Sequence, residues 1–123
     1  MLINDFFEIV HLEETGDNAF EARIQLDSNH KIYKGHFPGN PVVPGVCLSQ
    51  MVKESLEKYK GHHLQMAEAG YLKFMAVVNP IKNPELSIKA TIKSEENHKI
   101  VILSETTDGD TVFFKLKASY TRK

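Results

Sequence analysis

The segment from Gly35 to Val46, Gly-His-Phe-Pro-Gly-Asn-Pro-Val-Val-Pro-Gly-Val, constrains this chain more than any other. Three prolines and three glycines fall within twelve residues, with one histidine, His36, near the start. Proline fixes φ, and glycine reaches backbone conformations closed to other residues. Such density predicts a stiff loop of one particular shape, followed by a helix. A titratable side chain on a rigid loop, beside a helix N-terminus, is an arrangement in which chemistry tends to sit.

The helix is expected from about Pro44 to Tyr59. Proline is favoured at the first helical position because its missing N–H would be unpaired there anyway. Leu48, Val52, Leu56 and Tyr59 recur at helical spacing, flanked by Cys47 and Met51, and make an apolar stripe. Gly61 is the expected stop. Val46, Gln50, Glu54 and Glu57 fall on the other side.

Strands account for the rest. Phe6 to Glu13 reads as a first strand, Thr15 to Asn18 as a turn, and Ala19 to Leu26 as a second strand whose Phe20, Ala22, Ile24 and Leu26 share one face. After the helix, Glu68 to Val78 reads as a long strand ending at Asn79-Pro80. Leu86 to Lys93, His98 to Thr107 and Thr111 to Thr121 follow, turned by Glu95-Glu96-Asn97 and Asp108-Gly109. One helix with one apolar stripe must bury it against the sheet. The expected fold is therefore α+β: a curved antiparallel sheet wrapped around one central helix, as a single domain over residues 1–123.

Composition narrows the function. A net charge of −1, with 15 scattered basic residues, argues against nucleic acid, which needs a concentrated positive field. The single cysteine, Cys47, cannot form an internal disulfide and rules out multi-cysteine zinc sites. The first residues lack a basic stretch and carry acids early, unlike a signal peptide. No apolar run approaches the ~20 residues needed to span a bilayer. A cytoplasmic protein with no membrane span and no metal is the expectation.

The run His36-Phe37-Pro38-Gly39-Asn40-Pro41-Val42-Val43-Pro44-Gly45-Val46 resembles the active-site loop of the β-hydroxyacyl-acyl-carrier-protein dehydratases, which reads His-Phe-Pro-Gly-x-Pro-x-x-Pro-Gly-Val and leads into the central helix of a hotdog fold. Tyr71 to Phe74 and Val77 to Pro80 resemble that family's next strand and turn. The resemblance implies a lyase that dehydrates (3R)-3-hydroxyacyl thioesters to trans-2-enoyl thioesters, in fatty-acid biosynthesis or specialised lipid metabolism. It implies no cofactor of the protein's own, because the acyl group rides on the phosphopantetheine of acyl carrier protein or coenzyme A. It also implies a homodimer or trimer of dimers with the site at the subunit interface.

The resemblance implies roles residue by residue. His36 is the base, and the amides of Gly45 and Val46 hold the thioester oxygen. Phe37, Pro38, Gly39, Pro41 and Pro44 shape the loop. The family's helix carboxylate falls where this chain has Gln50, which can hydrogen-bond a hydroxyl but cannot supply a proton. Loss of a general acid costs about 10²–10⁴ in rate, roughly 3–5.5 kcal/mol of barrier. Glu54, one turn on, is an auxiliary candidate, with solvation or pairing to Lys58 as the plainer expectation. A hotdog thioesterase is one alternative. A catalytically weak subunit that binds acyl carrier protein, or pairs with an active homologue as a hetero-oligomer, is another. Lys53, Lys58, Lys60 and Lys73 could face an acidic carrier, although charge runs are usually wet surface. His62-His63 could suggest metal, although adjacent loop histidines are more often solvated. Phe7, Phe20, Phe74 and Phe114 could line an acyl tunnel or simply pack the core.

Overall fold

The computed structural model describes residues 2–35 and 39–123, so His36, Phe37 and Pro38 lie outside the described residues. Among the described residues, six strands and two helices follow the order β1 (Phe7–Gly16), β2 (Ala19–Leu26), α1 (Ile32–Gly35), α2 (Gly45–Lys60), β3 (Leu64–Phe74), β4 (Glu85–Glu96), β5 (Lys99–Asp108) and β6 (Thr111–Arg122). They form one antiparallel sheet with strand order β1-β2-β4-β5-β6-β3. The strands at the two edges, β1 and β3, both reach α2. A sheet whose opposite edges touch the same helix must curl around it. This is the hotdog architecture expected from the sequence.

The helix buries Cys47, Leu48, Met51, Val52, Ser55 and Leu56. All but Ser55 join one cluster with Phe20, Ala22 and Ile24 of β2, Ile88 of β4, Ile102 of β5, and Phe114, Leu116 and Tyr120 of β6. Burial of such side chains, at about 1.5–3 kcal/mol each, is what holds α2 in the sheet. Gly61 takes a left-handed φ of 82° and donates its N–H to the Glu57 carbonyl at 2.8 Å, ending the helix as its position suggests.

Three expectations need correction. The helix face carrying Glu54 and Glu57 is buried rather than solvated. The N-terminal segment covers Glu54, and the Leu64 amide donates to Glu57 Oε2 at 2.7 Å. The strand expected from Glu68 to Val78 instead runs from Leu64 to Phe74. It starts earlier because Leu64 already pairs with Arg122 in β6. It stops earlier because Met75 and Ala76 both donate to the Phe113 carbonyl, and Val78 leaves the ladder to accept from Val43.

The turn expected at Glu95-Glu96-Asn97 is made by Asn97 and His98, both with positive φ (53° and 65°). Backbone handedness at those two residues sets the hairpin, and β4 extends to Glu96.

Candidate active site

The site is built where the loop meets α2. Gly39 sits at φ 84°, a left-handed conformation that glycine adopts without strain. Pro41 and Val43 are buried, and the Val43 amide donates to Val78 at 2.9 Å, fixing the approach to the helix. Pro44 is the N-cap, extended at φ −61°, ψ 144°, and it brings no capping side chain. Its carbonyl accepts from Cys47 at 3.0 Å and Leu48 at 3.2 Å. Among the described residues, neither the Gly45 nor the Val46 amide has an acceptor. Two unsatisfied N–H groups therefore stand at the positive end of a 16-residue helix, the disposition that binds a developing negative oxygen.

Gly45 meets a wall of its own. A Cβ on it would lie 2.8 Å from the ring of Phe74, which stacks on Phe114 with centroids 4.9 Å apart. Phe74 is 56% exposed, and Val46, the residue after Gly45, is 77% exposed. The helix start thus carries exposed apolar side chains.

Val46, Gln50 and Glu54 succeed one another at i+4 on one helix face. Gln50 is half-buried, and its Nε2 donates to Glu54 Oε2 at 2.8 Å. Glu54 is 1% exposed. Its Oε1 accepts from the amides of Leu2 (3.0 Å) and Ile3 (2.7 Å), and its Oε2 also accepts from Leu2 (2.8 Å). Glu54 does not pair with Lys58; it anchors the N-terminal segment.

Tyr33, on α1, is buried with its hydroxyl unpartnered among the described residues. Burial, then the nearby Cys47 and Asp27, pushes its phenol well above the ordinary range. Burial also pushes up the Cys47 thiol, which fits packing rather than nucleophilic attack.

Residues 12–114 match the family model ApeI-like, described as ApeI dehydratase. The chain belongs to the ApeI-like dehydratase family. It is similar to the 3-hydroxyacyl-acyl-carrier-protein dehydratase FabZ of Latilactobacillus sakei subsp. sakei, 33% identical over 87 residues that cover 65% of this chain and 60% of that protein. The match thus spans about three-fifths of that relative's length. Its backbone is similar to a chain of the dehydratase heterocomplex ApeI:P from Xenorhabdus doucetiae (TM-score 0.70, 20% identity, covering 93% of this chain and 96% of that one). It is as close in shape to a variant of a thioesterase enzyme from Staphylococcus aureus (TM-score 0.70, 10% identity, covering 99% and 97%). These two likenesses are of fold alone.

Within this ApeI-like chain, the structure brings Gly45, Val46 and Gln50 to one end of α2, and sets Glu54 one turn beyond Gln50. His36, Phe37 and Pro38 lie outside the described residues. Phe7, Phe20 and Phe114 are core, and only Phe74 reaches the helix start. Lys60 pairs with Glu95 at 2.9 Å, and Lys73 lies over the Tyr71 ring. His63 sits 3.6 Å from Glu57, and among the described residues no cluster of His, Cys, Asp or Glu could hold a metal ion. Sequence reasoning missed Phe74 as Gly45's neighbour, since nothing local links the two. The i+4 spacing named Glu54 as Gln50's neighbour, but its anchoring of Leu2 and Ile3 was missed, because those residues lie 52 and 51 positions away.

Proposed function

We propose that this ApeI-like chain is a dehydratase-type lyase acting on (3R)-3-hydroxyacyl thioesters of acyl carrier protein or coenzyme A, with no cofactor of its own. The observation that carries the reading is the pair of uncapped amides, Gly45 and Val46, directly after the His-Phe-Pro-Gly loop, with Gln50 one turn further along the same face.

In the proposed reaction His36 removes a proton from C2, and the electron pair moves into the carbonyl to give an enolate. The Gly45 and Val46 amides hold that oxygen. The pair then returns to form the C2–C3 double bond as the C3–O bond breaks. The leaving hydroxyl needs a proton, and the imidazolium of His36 is the group that has one to return, because Gln50 does not titrate. Gln50 orients the hydroxyl. Water and the trans-2-enoyl thioester result.

The proposed assembly is a homodimer or a trimer of dimers. Edge strand β3 exposes Met66, Leu72 and Phe74, followed by Met75 and Val77, and Val46 is exposed at the helix start. Exposed apolar side chains on an unpaired edge are surfaces that a second chain covers. Residence in the cytoplasm is part of the same reading, supported by the lone unpaired cysteine, Cys47. Among the described residues no helix is long and apolar enough to cross a membrane.

One observation favours a second reading. Gln50 is tied to a carboxylate that takes only donors, so this face offers a departing hydroxyl no acid. A weakly catalytic partner in a hetero-oligomer would have the same site. A paired assay separates the two. Native protein and Gln50→Glu are given a (3R)-3-hydroxyacyl thioester, and enoyl formation is followed. The dehydratase reading expects slow turnover by the native chain and a gain of at least about tenfold in the variant. No turnover in either sinks it, and release of free thiol instead would favour a thioesterase.

A further inference from the structure

We infer that Glu54 is a positioning residue that makes this site selective for a 3-hydroxyacyl over a 3-oxoacyl group, by fixing which end of the Gln50 carboxamide faces the ligand. The inference rests on the reading of Gln50 as the hydroxyl's partner given above.

A glutamine side chain can ordinarily present either its oxygen or its nitrogen, because the two ends differ little in shape. Here the choice is made by the partner. Glu54 is 1% exposed, and three groups face it: the backbone amides of Leu2 and Ile3, and Nε2 of Gln50. All three donate, and a carboxylate only accepts. Turning the Gln50 amide over would set its carbonyl oxygen against a carboxylate oxygen at a separation of 2.8 Å, two acceptors with no proton between them. Glu54 cannot turn aside to relieve this, because its oxygens are held by backbone from a segment 51 and 52 residues away in sequence.

Nε2 is therefore held at Glu54, and Oε1 is the end left to the half-buried, outward side of Gln50, where it has no partner among the described residues. The face following Gly45 and Val46 offers an acceptor. A C3 hydroxyl can donate to it. A C3 carbonyl cannot, and it would bring a second acceptor against the first. Sites built to bond a hydroxyl reject analogues that lack the donor far more strongly than apolar pockets reject a change of size.

Titration calorimetry with (3R)-3-hydroxyoctanoyl and 3-oxooctanoyl pantetheine amides, which resist turnover, tests this. The native chain should bind the hydroxy compound at least about tenfold more tightly. In Glu54→Gln, whose own amide can face Gln50 with either end, the ratio should fall to within about threefold. Gln50→Met keeps the backbone bonds to Glu54 and should abolish the preference, by weakening the hydroxy compound and relieving the acceptor clash with the oxo compound. If Glu54→Gln does not fold, Glu54→Asp, whose carboxylate ends one methylene short of Gln50 and loosens its hold on Nε2, should lower the ratio in its place. A preference that persists in folded Glu54→Gln overturns the role of Glu54 alone, whereas one that persists in Gln50→Met, or is absent from the native chain while both compounds bind, overturns the inference together with the reading of Gln50 as the hydroxyl's partner. Failure of the native chain to bind either compound overturns this inference together with the proposed function.

Discussion

The ring of Phe74 fills the space a side chain on Gly45 would need, with Cε1 at 2.8 Å and Cζ at 2.9 Å from the Cβ position. The first residue of α2 is thereby kept bare by the last residue of β3, and the two amides beside it stay open.

Gly45→Ala should lower turnover at least about tenfold while changing stability by no more than about 1 kcal/mol. The methyl group obstructs the thioester's approach, but helix propensity favours alanine by about 1 kcal/mol, and Phe74 is exposed enough to swing away. Enoyl formation and thermal melts of Gly45→Ala, alone and with Phe74→Ala, check this. Phe74→Ala should relieve any stability loss and leave the activity loss in place.

Glu54→Ala should cost roughly 2–3 kcal/mol, since backbone amides bonded to a charged group lose their acceptor in a buried place. The loss should appear first at the N-terminal segment. Hydrogen exchange should show the Leu2 and Ile3 amides losing protection while the β4–β5–β6 amides keep theirs.

In Gln50→Glu a second carboxyl would replace the amide that now sits 2.8 Å from Glu54. Two carboxylates that close do not both ionise, so the pair holds a proton to higher pH than either alone. A folded-state pKa raised above the unfolded value stabilises at low pH and loses that contribution as pH rises through the folded value. The variant should therefore fall behind the native chain in thermal stability as pH rises from about 5 to 8, and the retained proton should supply the missing acid. Melting curves across that range check the sign.

Alkaline stability has a separate origin. Burial raises the Cys47 thiol above its ordinary 9.0 and the phenols of Tyr33 and Tyr120 above 10.0. Each group holds its proton longer when folded, so stability is fully present below the unfolded values and declines as pH rises past them. Melting temperature should be flat up to about pH 9 and then fall, and Cys47 should resist alkylation until the protein is denatured.

What the chain reveals of itself depends on how local the determining physics is. Strand β2 spans Ala19–Leu26 as its alternation indicates, and α2 ends at Gly61 because one left-handed glycine is enough. Strand β3 was misplaced by four residues at each end because it is an edge strand, exposed on both faces over most of its length, and carries no alternation to read. The burial of Glu54 and Glu57 was invisible for a related reason. What covers them comes from Leu2, Ile3 and Leu64, at separations no periodicity encodes. The start of α2 at Gly45 was legible from the proline–glycine spacing, while the choice of Gly45, Val46 and Gln50 as site residues came from the resemblance of the loop.

The central claim is that His36 takes the C2 proton while the Gly45 and Val46 amides hold the resulting enolate. That step does not need the missing acid, so hydrogen–deuterium exchange at C2 of a (3R)-3-hydroxyacyl thioester in heavy water, read by mass spectrometry, isolates it. The native chain should exchange that position faster than it forms enoyl product, and His36→Ala should lower exchange by at least about a hundredfold. Exchange no faster than in buffer, or exchange undiminished in His36→Ala, would contradict the account.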